Sequence, residues 1–171
     1  MNIYLANENT NYVAYLIELS QQGRRNAFFD LCEINLKNVF NLVYRLVADY
    51  EQAKNISVNV FYHAWENIKN FDVKTEYLFW IKDLTIKHTV FELKRNGFNT
   101  TYKKFQRTAL GELRQLEQLI ASLPDEDRII FVLHDMEGYD YAEIMNYLPD
   151  LSTDEVKTKL INSRDYLIDN L

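Results

Sequence analysis

Four glycines and two prolines are all that this chain of 171 residues carries, too few for the repeated tight turns of a β-sandwich or barrel. Its single cysteine, Cys32, excludes an internal disulfide. With Phe28, Leu31 and Val39 around it at helical spacing, Cys32 reads as a buried thiol rather than a nucleophile. Long apolar runs are also missing. The densest, Ile129 to Leu133, is far too short to cross a bilayer, and no basic N-terminus leads into an apolar stretch, so no membrane partner and no secretory leader are expected. A reduced, cytoplasmic setting follows from these absences. His63, His88 and His134 lie far apart with no Cys or carboxylate at ligand spacing, so no metal is expected. The sequence also lacks a phosphate-cradling Gly loop and any nucleophile–base set, which predicts no catalytic residue, no cofactor and no enzyme activity.

What is present is apolar content of 47%, enough for real cores in one compact domain or two small ones. The apolar residues recur at three- and four-residue spacing, which predicts an all-α protein. Helices are expected over 11–22, 26–48, 52–70 and 77–94, the second carrying Leu31, Val39, Leu42, Val43 and Leu46 on one stripe. From Asn96 to Tyr102 the periodicity lapses into polar residues and resumes near Thr108 with Leu110, Leu113, Leu116 and Leu119. The predicted organisation is a helical domain over 1–95, a basic linker over 96–107 and a second helical domain over 108–171.

Charge is unevenly placed. Residues 1–81 hold 7 Lys/Arg against 9 Asp/Glu, residues 82–107 hold 7 against 2, and residues 108–171 hold 5 against 14. The net charges are −2, +5 and −9. A middle stripe with Lys82, Lys87, Lys94 and Arg95 is thus the phosphate-facing footprint, whereas the acidic rear repels nucleic acid at long range. Within that rear, Leu123-Pro124 opens a hydrophobic helix, Gly138 breaks it, and two more helices follow. Asp140 with Glu143 and Ser152 with Glu155 have the spacing of capping boxes at those two helix starts. Together they predict a helix-turn-helix. Asp125, Glu126 and Asp127 beside Pro124 read as acids opposing the positive end of a helix.

In the first domain Ala27-Phe28, Val43-Tyr44-Arg45-Leu46, Val60-Phe61-Tyr62-His63-Ala64-Trp65, Phe71-Asp72, Trp80-Ile81 and Lys94-Arg95 occur in order. In the second come Leu123-Pro124 with Arg128, Phe131 and Leu133, then Glu137-Gly138-Tyr139-Asp140, then Val156 to Leu160 with Ser163, Arg164 and Leu167. This ordered set, over about Leu16 to Leu171, resembles bacterial sigma factors of the extracytoplasmic-function type. The resemblance implies a two-domain all-α promoter-specificity subunit with RNA polymerase core enzyme and promoter DNA as partners, and an anti-sigma factor as a further one. It implies polymerase contacts on the third helix at Asn55, Val58, Asn59 and Tyr62. Single-stranded promoter bases fall to the region of Tyr77, Phe79, Trp80, Lys82, Lys87, His88, Lys94 and Arg95. Duplex reading falls to Thr158 and Asn162 on the last helix, with Lys157 and Lys159 reaching phosphates.

The chain departs from that family in three places. The family's acidic run on the third helix is replaced by Gln52 to Asn59, which holds no carboxylate, so polymerase contact is expected to be weaker or apolar through Val58. Lys87 and Phe91 stand where Asn and Asp are usual. On the last helix Glu155, Asp165 and Asp169 share the side of Thr158 and Asn162, which predicts modest, salt-sensitive phosphate affinity. Two functions therefore stand side by side: a promoter-binding sigma factor, and a sigma-like module that binds polymerase or a regulator without reading DNA. Trp65 and Trp80 read either as core residues or as base-stacking surface, and Lys94-Arg95 and Lys103-Lys104 either as backbone contacts or as a solvated linker.

Overall fold

A computed structural model describes residues 3–103 and 112–171, and among them there are eight α-helices and no strand. Helix α1 spans Ile3–Gln21, α2 Arg25–Val47, α3 Tyr50–Asn67 and α4 Tyr77–Asn96. The rear half has α5 over Glu112–Ser122, α6 Asp125–Phe131, α7 Tyr141–Tyr147 and α8 Thr153–Asn170. The expected all-α architecture is present. Helix α1 starts eight residues before the expected Asn11, because the stretch from Ile3 to Thr10 contains neither Pro nor Gly to stop it. The expected positions Thr108 and Leu110 lie outside the described residues.

Helix ends follow local chemistry. Asp49 caps α3 by accepting the Gln52 N–H at 2.8 Å, while Ala48 before it takes a left-handed conformation, φ 54°, to close α2. The third helix tightens to a 3-10 turn over Ile68–Asn70 instead of continuing as α. Gln21 from the end of α1 donates to the Ile68 and Phe71 carbonyls at 3.1 and 2.9 Å, which satisfies acceptors that the helix end leaves open. Beyond α6 the chain widens into a π turn over Val132–Met136. Gly138 then reverses direction at φ +80°, a conformation that glycine adopts without steric cost.

The front helices bury Leu31, Val43, Leu46, Ala53, Val60, Ala64 and Ile86, and the rear ones Leu119, Leu123, Ile129, Ile130, Leu133, Ile144, Val156 and Leu160. These residues join in one continuous apolar cluster, because α2 packs against α5 and α6, and α4 against α7. The expected linker is docked along its described part. Asn99 and Asp125 exchange hydrogen bonds at 2.9 Å, the Lys103 N–H reaches the Ser122 carbonyl at 2.7 Å, and Tyr102 lies 4.4 Å from Tyr166 between ring centres. Residues 104–107 lie outside the described residues. No helix among the described residues is long and apolar enough to cross a membrane.

Candidate nucleic-acid interface

Two capping boxes build the rear unit as the sequence predicts. Asp140 accepts the Glu143 N–H and Glu143 accepts the Asp140 N–H, both at 2.8 Å. Ser152 and Glu155 do the same for α8, at 3.3 Å for the hydroxyl and 2.7 Å for the carboxylate. Each such cap contributes about 1 kcal/mol to a helix start. Helix α8 buries Val156, Leu160, Ser163 and Leu167 against the rear core. Its opposite face is open: Lys157, Thr158, Ile161, Asn162 and Asp165 are all exposed. The short polar groups expected to meet base edges therefore face solvent.

The cations of α8 are differently placed. Lys157 sits 5.7 Å from the centre of the Tyr141 ring and stays exposed. Lys159 turns inward to Asp127 at 3.0 Å and Glu126 at 3.1 Å. Burial pulls its ammonium group down, but hydrogen bonds and charge from the two carboxylates prevail and hold its pKa above the usual lysine value. The acids beside Pro124 thus do more than oppose a helix end. They also brace the last helix, and Lys159 in this arrangement is a structural cation, not a phosphate-reaching one. Arg164 binds Asp135 through Nε at 2.8 Å and Nη2 at 2.5 Å. That fork, helped by His134 at 2.7 Å, holds the Asp135 carboxyl below its ordinary range against the opposing effect of burial.

The expected basic stripe on α4 is also engaged. Lys82 meets Glu137 at 2.8 Å and lies 4.9 Å over the Tyr139 ring, and Lys94 meets Asp150 at 2.8 Å. Lys87 pairs with Asp83 at 2.7 Å and Arg95 with Glu92 at 2.6 Å along the same helix. All four cations carry a carboxylate. Of the aromatic residues expected to offer stacking surface, Phe79 is exposed but Tyr77 is buried. Trp80 packs on Phe71 at 4.9 Å and Trp65 on Phe28 at 5.1 Å, so both tryptophans serve the core. On α3, Asn55, Val58, Asn59 and Tyr62 are exposed together at i, i+3, i+4 and i+7, a single outward stripe.

Sequence reasoning missed the acceptors. Glu137, in the turn before α7, takes Lys82 and also Arg45 of α2 at 3.2 Å. Asp150, after Pro149, takes Lys94. Tyr147 donates to Asp83 at 3.0 Å, and burial first, then neighbouring phenol and carboxylate groups, push its pKa up. The opposed charges of the middle and rear segments were the available signal, but composition does not say which carboxylate meets which cation. Among the described residues no three His, Cys, Asp or Glu side chains converge on a metal-sized gap.

Residues 113–144 match the family described as sigma-70, region 4. The ECF RNA polymerase sigma factor SigW of Bacillus subtilis (strain 168) is 23% identical over 173 residues, covering 88% of this chain and 92% of SigW. Two solved structures share the fold. CnrH, in complex with the cytosolic domain of CnrY, aligns with a TM-score of 0.58 at 19% identity over 92% of this chain and 96% of its own. The sigma factor RpoE of Bartonella quintana, in complex with the anti-sigma factor NepR, aligns with a TM-score of 0.57 at 12% identity over 83% and 94%. In fold throughout, and in sequence most specifically over residues 113–144, from α5 to the start of α7, the chain is similar to bacterial sigma factors of the extracytoplasmic-function type.

Proposed function

We propose that the chain is a sigma factor that directs RNA polymerase to particular promoters and initiates transcription there. The observation that carries this reading is the solvent-facing stripe of Thr158 and Asn162 on a capped α8, the helix that follows the region 4 match over residues 113–144. Uncharged polar side chains on a helix of this width suit the donor and acceptor pattern of a major groove. Lys157 supplies a phosphate contact beside them. The α3 stripe of Asn55, Val58, Asn59 and Tyr62 is the surface offered to polymerase. It has replaced carboxylates with amides and apolar groups, so shape and burial rather than charge attraction govern that contact.

Helix α4 then serves the opened strand, with Lys82, Lys87, Lys94 and Arg95 following its backbone and Phe79 offering a ring to an unstacked base. In this reading the chain makes and breaks no covalent bond, and it works in the cytoplasm where polymerase is. An anti-sigma factor is an expected partner, as RpoE has been solved with the anti-sigma factor NepR. The alternative of a module without DNA recognition loses ground because the reading positions are exposed.

The test is charge reversal on the exposed cation of α8. Lys157→Glu is expected to co-elute with cognate core polymerase as the unaltered chain does, yet to lose promoter selection. Unchanged promoter selection would remove α8 from the reader role, and loss of co-elution would show that the effect is not confined to DNA.

A further inference from the structure

Helix α8 carries three cations, Lys157, Lys159 and Arg164, and two of them are already committed. Lys159 meets Glu126 and Asp127 at 3.1 and 3.0 Å, and Arg164 holds Asp135 through Nε at 2.8 Å and Nη2 at 2.5 Å. These carboxylates belong to α6 and the π turn that follows it, so both cations brace α8 and do not reach outward. Lys157 stays exposed, but it stands at the flank of the open face, beside the Tyr141 ring. Opposite the buried row of Val156, Leu160, Ser163 and Leu167 lie Thr158, Ile161, Asn162 and Asp165, at i, i+3, i+4 and i+7. That face offers hydroxyl, alkyl, amide and carboxylate groups and no cation. Ile161 is 55% exposed and takes no part in the apolar cluster. A β-branched residue favours a helix less than alanine or leucine does. What Ile161 contributes is an alkyl surface held among polar groups.

We propose that α8 selects A·T pairs, with Ile161 as a specificity-determining residue seated on a thymine methyl group and Asn162 bonded to N6 and N7 of an adenine. The inference rests on the sigma-factor reading for the place of α8 in the groove, and it adds the class of sequence that the helix selects. In a major groove the methyl group marks thymine, and an alkyl side chain meets it; the amide of Asn matches the donor and acceptor of adenine. Guanine presents acceptors at O6 and N7 and is matched by Arg or Lys. Here Arg164 and Lys159 are turned away, and Lys157 at the flank is left for a phosphate. A guanine brought against this face meets Asp165, acceptor against acceptor, because an ionised carboxylate has no proton to donate. Cytosine offers Asp165 an amino group but gives Ile161 no methyl. Asp165 therefore acts by exclusion. The same acid that weakens the hold of α8 on phosphate sharpens its choice of base.

The test is selection of duplexes from a random-sequence library by the full chain bound to its cognate core polymerase, followed by affinity measurements on modified forms of the selected element. A·T pairs are expected at the positions whose preference is lost in Ile161→Ala and Asn162→Ala. G·C pairs at those positions, or a preference that neither variant alters, overturn the proposal. Replacing thymine there by deoxyuridine removes the methyl group alone. It should weaken binding by the unaltered chain about fourfold, the effect of one buried methyl group, whereas Ile161→Ala should bind both duplexes equally. Undiminished binding of the uracil duplex, or the same loss in Ile161→Ala, overturns the role of Ile161. The uracil comparison on the unaltered chain needs no variant, so it decides even if Ile161→Ala fails to fold. A library that yields no preferred sequence at all would sink the sigma-factor reading and this inference with it, while a preferred element with G·C pairs under Ile161 and Asn162 sinks the inference and leaves that reading standing.

Discussion

Arg128 of α6 donates from Nε to the Leu46 carbonyl at 2.9 Å, across the seam between the two halves. The guanidinium is fully buried and also reaches the Leu123 carbonyl at 2.8 Å, the Val47 carbonyl at 3.4 Å and the Asp125 carboxylate. Leu46 and Val47 end α2, where carbonyls lack helical partners. One side chain from the rear half therefore closes a helix of the front half. Burial disfavours its charge and lowers its pKa, while Asp125 opposes that shift.

Arg128→Met keeps the volume but takes the cation from the Asp125 carboxylate, which retains the Asn99 N–H, and removes the donor to the Leu46, Val47, Ala121 and Leu123 carbonyls. Stability should fall by about 3 kcal/mol or more, the usual effect of removing one member of a buried pair. Urea denaturation followed by circular dichroism measures it. An unchanged midpoint would contradict the assignment of Arg128 as a bridge.

The caps of the helix-turn-helix offer a local test. Asp140→Ala and Ser152→Ala should each lower stability by about 1 kcal/mol and speed amide exchange at Glu143 and Glu155. Exchange unchanged at those amides would show that the capping boxes are not maintained in solution.

His88 stacks on His63 with ring centres 4.2 Å apart, and His63 lies 3.3 Å from Glu66. Burial and then the second imidazole lower the pKa of His88, while Glu92 acts the other way. The neutral form therefore suits the fold. As pH falls past the ordinary imidazole value of about 6.5, the unfolded chain takes up a proton first, and this share of stability is lost on the way down to the folded value. His88→Gln should flatten the decline in urea midpoint across that range, and an equal decline in the variant would remove His88 as its source.

Cys32 is partly buried, and burial raises its thiol to about 11. At mildly alkaline pH it should react with a thiol reagent far more slowly than the same residue in the urea-unfolded chain. Equal rates in the two states would place Cys32 at the surface.

Much of this architecture was legible because helices announce themselves locally. The stripe of Leu31, Val39, Val43 and Leu46 marks α2, and the spacings Asp140/Glu143 and Ser152/Glu155 mark the starts of α7 and α8. Exposure of Thr158 and Asn162 followed from the same periodicity. What sequence did not reveal were pairings between distant residues. Nothing near Lys82 points to Glu137, and nothing near Lys159 points to Glu126 and Asp127, because those contacts depend on how helices cross. The 3-10 and π turns after α3 and α6 were hidden for a related reason: they answer to tertiary packing and leave the apolar spacing almost unaltered.

Transcription reconstituted with the cognate core polymerase, with and without this chain and with start sites mapped across the source genome, tests the central claim most directly. The expected result is initiation at a defined set of promoters that core enzyme alone ignores, lost in the Thr158→Ala, Asn162→Ala double variant. A chain that binds core polymerase but yields no new start site, or a double variant that uses the same promoters undiminished, would contradict it.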